Sequence, residues 1–176
     1  DDNGLSHIRI ERVSGNLTDH FDPRNNVIRL SDSVYGSSSV GAIGVAAHEA
    51  GHAIQYDVGY FPIKIRAAMI PITNIGSSLA VPLAVLGLIF GYLWLVDLGI
   101  LLFVAVVLFQ LITLPVEFNA SRRALSTLET EQMLNGTELA GARRVLSAAA
   151  MTYVAALIVA VANLLRLLAL RGRRND

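Results

Sequence analysis

Three residues in the run His48-Glu49-Ala50-Gly51-His52 carry the chemistry of this chain. Residues four apart share one face of a helix, so the two imidazoles can hold one Zn²⁺ while Glu49 reaches the water on the metal. Bound zinc lowers the pKa of its water from about 15.7 towards about 7, and a carboxylate beside it takes the proton as the oxygen attacks a peptide carbonyl. The spacing therefore points to metal-assisted hydrolysis with His48 and His52 as ligands and Glu49 as general base. The bland alternative is a chance match on a buried helix. The local context opposes it: Val40 to Gln55 reads as a helix capped from Ser37-Ser38-Ser39, with Gly44, Ala46, Ala47, Ala50 and Gly51 packed around the histidines.

Two histidines do not complete a catalytic zinc site, which takes three protein ligands and leaves one position for water. Cysteine is absent, so the third donor is nitrogen or oxygen: His7, His20 or a carboxylate. Glu117 is the best placed, at the end of an apolar segment, because a carboxylate at the edge of hydrocarbon is costly unless paired or bound to metal. The plain alternative is an interfacial Glu paired with Arg122 or Arg123.

The elements that must position these residues divide by polarity. Of the 176 residues 53% are hydrophobic, and the mean hydropathy is +0.53, above the usual apolar share of about 45–50% for a soluble domain. Basic and acidic residues balance at 14 each, which removes the overall basic field expected of a nucleic-acid binder. Residues 1–66 read as a water-facing lobe, with strands near His7–Val13 and Val27–Leu30 and a turn at Asp22-Pro23-Arg24-Asn25-Asn26. Gly15 to Phe21 reads as extended, which predicts a small antiparallel sheet leading into the zinc helix. Residues 67–116 hold a single side chain charged at neutral pH, Asp97, and predict a membrane hairpin of Ile70–Leu93 and Leu98–Val116, turning near Trp94 to Asp97. Pro71, Pro82 and Pro115 are expected to kink or bound these helices. Residues 117–144 return to water as a polar helical segment broken at Asn135-Gly136. Residues 145–176 form a third span, Val145–Leu165, and a basic tail of Arg166, Arg171, Arg173 and Arg174. The opening Asp1-Asp2-Asn3-Gly4, without a Met, reads as cut from a longer precursor with an upstream membrane segment. The predicted fold is an α+β, zincin-like catalytic lobe carrying the HExxH helix, on a membrane bundle of about three spans.

Three runs carry a family resemblance: Gly15-Asn16-Leu17-Thr18-Asp19-His20-Phe21-Asp22-Pro23, VAAHEAGHAIQ from Val45 to Gln55, and LPVEFNASRRAL from Leu114 to Leu125. Over essentially the whole chain the sequence resembles the YugP-type neutral zinc metallopeptidases, bacterial membrane proteins. More distantly it is similar to the gluzincin membrane peptidases of the HtpX and CAAX prenyl protease group. The resemblance implies one Zn²⁺ per chain on His48, His52 and Glu117, with Glu49 as base. It also suggests that a strand at Asn16, Leu17 and Thr18 receives substrate as an added strand. The wider group has an Asp four residues after the ligand Glu, where this chain has Ser121. The partner that orients a zinc-binding histidine is then open, with Asn119 a candidate.

His20 could polarise a tetrahedral intermediate, or be an exposed loop residue between Asp19 and Asp22. Tyr153 is a second candidate for that role, although its apolar setting favours an interface aromatic. The expected function is an integral membrane zinc endopeptidase acting on membrane or membrane-associated polypeptides. The alternative is a non-catalytic zinc-binding membrane scaffold or an inactive homologue. The partners expected are a polypeptide substrate and the lipid bilayer. Near the membrane, Lys64, Arg66, Arg122, Arg123, Arg143 and Arg144 outnumber Arg166, Arg171, Arg173 and Arg174. That excess leans towards a cytoplasmic active site in a bacterial inner membrane.

Overall fold

The structure, a computed structural model, describes residues 4–172; Asp1, Asp2 and Asn3 and the tail arginines Arg173 and Arg174 lie outside them. The chain forms two compact units, one of Asp1–Ile63 with Val116–Met151, the other of Lys64–Pro115 with Thr152–Asp176.

In the first unit β1 (Arg9–Val13), β2 (His20–Asp22) and β3 (Val27–Ser31) make one sheet in the order β1-β3-β2. The apolar Val27 to Leu30 run is the central strand because it can bury both faces, and Val27, Ile28 and Leu30 are all buried. Ile28 and Leu30 pack with Ala46, Ala50 and Ala53, whose small side chains let a helix lie close to the sheet. The predicted all-antiparallel sheet is corrected: β2 runs antiparallel to β3, but β1 runs parallel to it, with Ile10 opposite Ile28. The reversal falls earlier than expected. Gly15 (φ 107) and Leu17 (φ 58) put the backbone in left-handed conformations, and the Thr18 hydroxyl donates to the Ser14 carbonyl. Asn16 and Leu17 thus lie in a bend, and the extended segment expected from Gly15 begins only at His20. The turn into β3 is as read: the Asp22 carboxylate accepts from the Arg24 backbone, the Asn25 amide and the Arg29 guanidinium. The Asn25 and Arg29 bonds hold the Asp22 carboxyl far below the usual carboxylate range.

Helix α1 (Val40–Asp57) starts where the Ser39 hydroxyl accepts the Ala42 N–H at 3.3 Å and closes at Gly59 (φ 67). Gly51 costs this helix about 1 kcal/mol relative to Ala. Its gain is proximity: a Cβ there would meet the Ala120 carbonyl oxygen at 2.5 Å. At Gly44 a Cβ would sit 3.5 Å from that of Ala142.

Three further helices, α2 (Phe61–Phe90), α3 (Leu93–Thr130) and α4 (Gly136–Gly172), are each long and apolar enough to cross a membrane. Their boundaries differ from those predicted. The reversal between α2 and α3 falls at Gly91, whose φ of 78 suits the left-handed residue after a helix, with Tyr92 N–H bonded to the Gly87 carbonyl. Trp94 to Asp97 already belong to α3. Pro71, Pro82 and Pro115 sit inside helices rather than bounding them. Hydropathy changes at Val116 and Arg144 without a break in the backbone, since no capping residue stands at either place. The break near Asn135 is as predicted, and its chemistry is reciprocal. The Asn135 side chain accepts from the Thr137 and Glu138 N–H groups while Glu138 accepts from the Asn135 N–H. Inside the second unit Gly76 and Gly99 bring backbones together, a Cβ at Gly99 meeting the Ala80 carbonyl at 2.6 Å. Small residues serve this purpose in membrane helices. The far end carries a two-bond ion pair, Arg171 to Asp97 at 2.8 and 3.1 Å.

Gly51→Ala is expected to destabilise the protein by about 1–3 kcal/mol through overpacking. Gly136→Ala, where a Cβ meets nothing within 4 Å, should be close to neutral. Thermal unfolding of the two variants in the same detergent checks the difference, and equal midpoints would contradict the packing described.

Candidate metal centre

α1 and α3 supply the site. On α1, His48, Glu49, His52 and Gln55 fall on neighbouring turns of one side; on α3, Glu117 and Ser121 fall four apart on the side facing them. The Gly51–Ala120 approach fixes their register. The Glu117 Oε2 lies 3.1 Å from His48 Nε2 and 3.6 Å from His52 Nε2, and the imidazole rings meet edge to face with centroids 4.7 Å apart. Among the described residues, His48, His52 and Glu117 form the group whose ligand atoms converge, all within 4.8 Å of one another.

Whether this set suits a metal is decided by its other hydrogen bonds. His48 Nδ1 is 3.0 Å from the Ser121 hydroxyl and His52 Nδ1 is 2.9 Å from the Gln55 Oε1. Both Nδ1 atoms are thus taken by protein, and both Nε2 atoms are turned towards one carboxylate oxygen. The Glu117 side chain is 2% exposed, and a carboxylate that deep requires a compensating cation or donors. Two imidazole nitrogens and one carboxylate oxygen, with the outer nitrogens already bonded, is a donor set that fits zinc.

Glu49 is buried beside the cluster. That burial pushes its carboxyl above the ordinary range, aided by the Glu117 and Asp19 charges and opposed by His52 and His48. For His52, burial works to lower the imidazole, and the Glu117 and Glu49 carboxylates with Gln55 outweigh it, so the net direction is up.

The remaining sequence candidates sit elsewhere or act differently. His20, on β2, is tied to the sheet by Nδ1 to the Thr18 carbonyl at 2.7 Å and by Arg29 at 3.4 Å, and is not part of the converging group. Asp19 holds the Ser31 N–H and hydroxyl, closing the end of β3. Asn16 and Leu17 are in the bend, so the expected substrate strand at Asn16, Leu17 and Thr18 is not formed. Tyr153 is on α4, in the second unit. The oxygen facing the first histidine comes from Ser121 itself. Asn119 stands one residue further from the metal side, bonded to Gln55 and Arg123. Gln55 is a site residue that the HExxH spacing alone does not mark; its position three residues after His52 on a helix is the signal for it.

Two histidines of α1 and a carboxylate of α3 form a group that could hold a metal ion, in a protein with three long apolar helices. The chain belongs to the family described as putative neutral zinc metallopeptidase, whose model matches residues 1–172. It is also similar to a Bacillus subtilis (strain 168) protein named "Putative membrane protease YugP": 48% identical over 178 residues, covering 100% of this chain and 79% of that one. The resemblance read from the three sequence runs is therefore correct. No solved structure matches the chain. The relative's name and the three apolar helices fit a membrane protein.

Glu117→Ala is expected to remove stoichiometric zinc at a free zinc concentration that saturates the unaltered chain, while His20→Ala leaves it bound. Metal analysis after equilibrium dialysis checks both; zinc retained without Glu117 and lost without His20 would transfer the ligand role.

Proposed function

We propose that the protein is an integral membrane zinc endopeptidase, a zincin-like lobe carried on about three membrane spans, that hydrolyses peptide bonds in membrane or membrane-associated polypeptides. The observation that carries this reading is the convergence of His48 Nε2, His52 Nε2 and Glu117 Oε2 beside the buried Glu49. His48, His52 and Glu117 would hold one Zn²⁺, which when bound activates water and polarises the peptide carbonyl.

The chain's own residues do the rest. Glu49 takes a proton from the attacking water and delivers it to the leaving amine; a carboxyl raised by burial is a stronger base than one in water, which favours the first transfer. Gln55 and Ser121 hold the imidazoles at their outer nitrogens, so the ligand atoms are positioned before substrate arrives. The Asp19 charge makes a smaller contribution to the raised Glu49 carboxyl, in the same direction as burial. A purely structural zinc would need the histidines but has no use for Glu49, which separates this reading from that of a metal-holding scaffold. The helices α2, α3 and α4 support a membrane location, and the count of basic residues favours a site on the cytoplasmic side of a bacterial inner membrane.

In Glu49→Gln the amide keeps the shape and removes the base. Cleavage of casein or of a membrane protein is expected to fall by about 10²–10⁴-fold with zinc content unchanged. Near-normal cleavage by this variant would contradict the assigned role.

A further inference from the structure

We propose that Gln55 is a positioning residue that fixes which nitrogen of His52 is free to bind metal, through a chain of hydrogen bonds running Arg123, Asn119, Gln55, His52. The proposal rests on the metal-site reading above and deepens it.

Arg123 Nε can only donate, so the Asn119 atom 2.9 Å from it must be the carbonyl oxygen. That oxygen is also 3.0 Å from the Gln55 side chain, which must present its nitrogen there. A second constraint agrees: the same nitrogen lies 2.8 Å from the Val116 backbone carbonyl, which can only accept. Both amide hydrogens of Gln55 are then committed, and its Oε1 is left pointing at His52 Nδ1, 2.9 Å away. An oxygen of this kind accepts, so Nδ1 carries the hydrogen. A neutral imidazole has one N–H, and Nε2, the atom facing Glu117, is the bare one. Gln55 is 0% exposed, so no bulk water competes for any of these bonds. Each partner has a fixed donor or acceptor identity, which makes the tautomer a consequence of the chain rather than a choice.

His48 lacks this arrangement. Its Nδ1 faces the Ser121 hydroxyl, which can donate, and its Nε2 lies 3.1 Å from the Glu117 Oε2, a carboxylate oxygen that only accepts, so without metal its hydrogen sits on Nε2, the atom that would bind. One ligand is therefore held in its binding form before metal arrives and the other is not, and the two histidines should respond differently to the same measurement.

The test uses the full chain in detergent, metal-free and alkaline enough for both imidazoles to be neutral. A long-range proton–nitrogen correlation spectrum of isotope-labelled histidine reads the tautomers directly. His52 is expected as the Nδ1–H form and His48 as the Nε2–H form, donating to Glu117. A His52 signal from the Nε2–H form would overturn the proposal without any variant. In Gln55→Met, zinc affinity by chelator competition is expected to fall by about 10- to 100-fold, and the His52 tautomer should become mixed. Asn119→Asp, which still accepts from both Arg123 and Gln55, should rescue both properties where Asn119→Leu loses them. Unchanged affinity in a folded Gln55→Met would also overturn it. A chain that shows the Nδ1–H form, binds zinc and cleaves nothing would leave Gln55 in its role and remove the peptidase reading.

Discussion

The close approach of α1 to α3 at Gly51 and Ala120 is the constraint on which the site depends. A glycine facing a carbonyl at a distance that no Cβ tolerates lets two helix backbones come within reach of short side chains. His48 and His52 then meet Glu117, and Gln55 meets Val116 and Asn119, with no long side chain needed to bridge a gap. The other small residues of α1 meet other neighbours, Gly44 lying against Ala142 and Ala46, Ala50 and Ala53 against the sheet. Gly44 and Gly51 weaken the helix locally and are tolerated because the packing they permit recovers more. Function here is set by where two backbones can touch, and the chemistry-bearing residues are placed by that contact.

Burial then sharpens the chemistry. Glu117 and Gln55 are among the most deeply buried side chains of the first unit, and Glu49 and His52 are nearly as deep. In such surroundings an uncompensated carboxylate is expensive and a bound cation correspondingly favourable. A metal held by Glu117 and the histidines would meet the need that the fold creates. Burial also raises the Glu49 carboxyl, so one environment makes a tight site for a cation and a stronger base beside it. The hydrogen bonds behind the histidines add to this, since Gln55 and Ser121 hold the outer nitrogens of His52 and His48.

What could be read from the sequence follows from how local each signal is. The HEAGH spacing, the Ser39 cap, the Asn135 break and the Asp22 turn are decided within a few residues, and the structure has them where the residues indicate. The third carboxylate could be narrowed to Glu117 because a charge at the edge of an apolar run is itself a signal. The parallel pairing of β1 with β3 could not be read, because it depends on a bend at Gly15 to Leu17 that a leucine with positive φ does not advertise. The sequence places the α2–α3 turn near Trp94 to Asp97, whereas backbone geometry places it at Gly91; Asp97 is occupied with Arg171 instead. Gln55 is not legible in the sequence because its importance lies in contacts with residues more than sixty positions away.

The central claim is that His48, His52 and Glu117 hold one zinc ion. X-ray absorption at the zinc edge of the purified, zinc-loaded protein tests it most directly. The account predicts one zinc per chain in a shell of two imidazole nitrogens plus oxygen donors, at distances of about 2.0–2.2 Å. A shell with three or more imidazoles, or one built of oxygen alone, would contradict it.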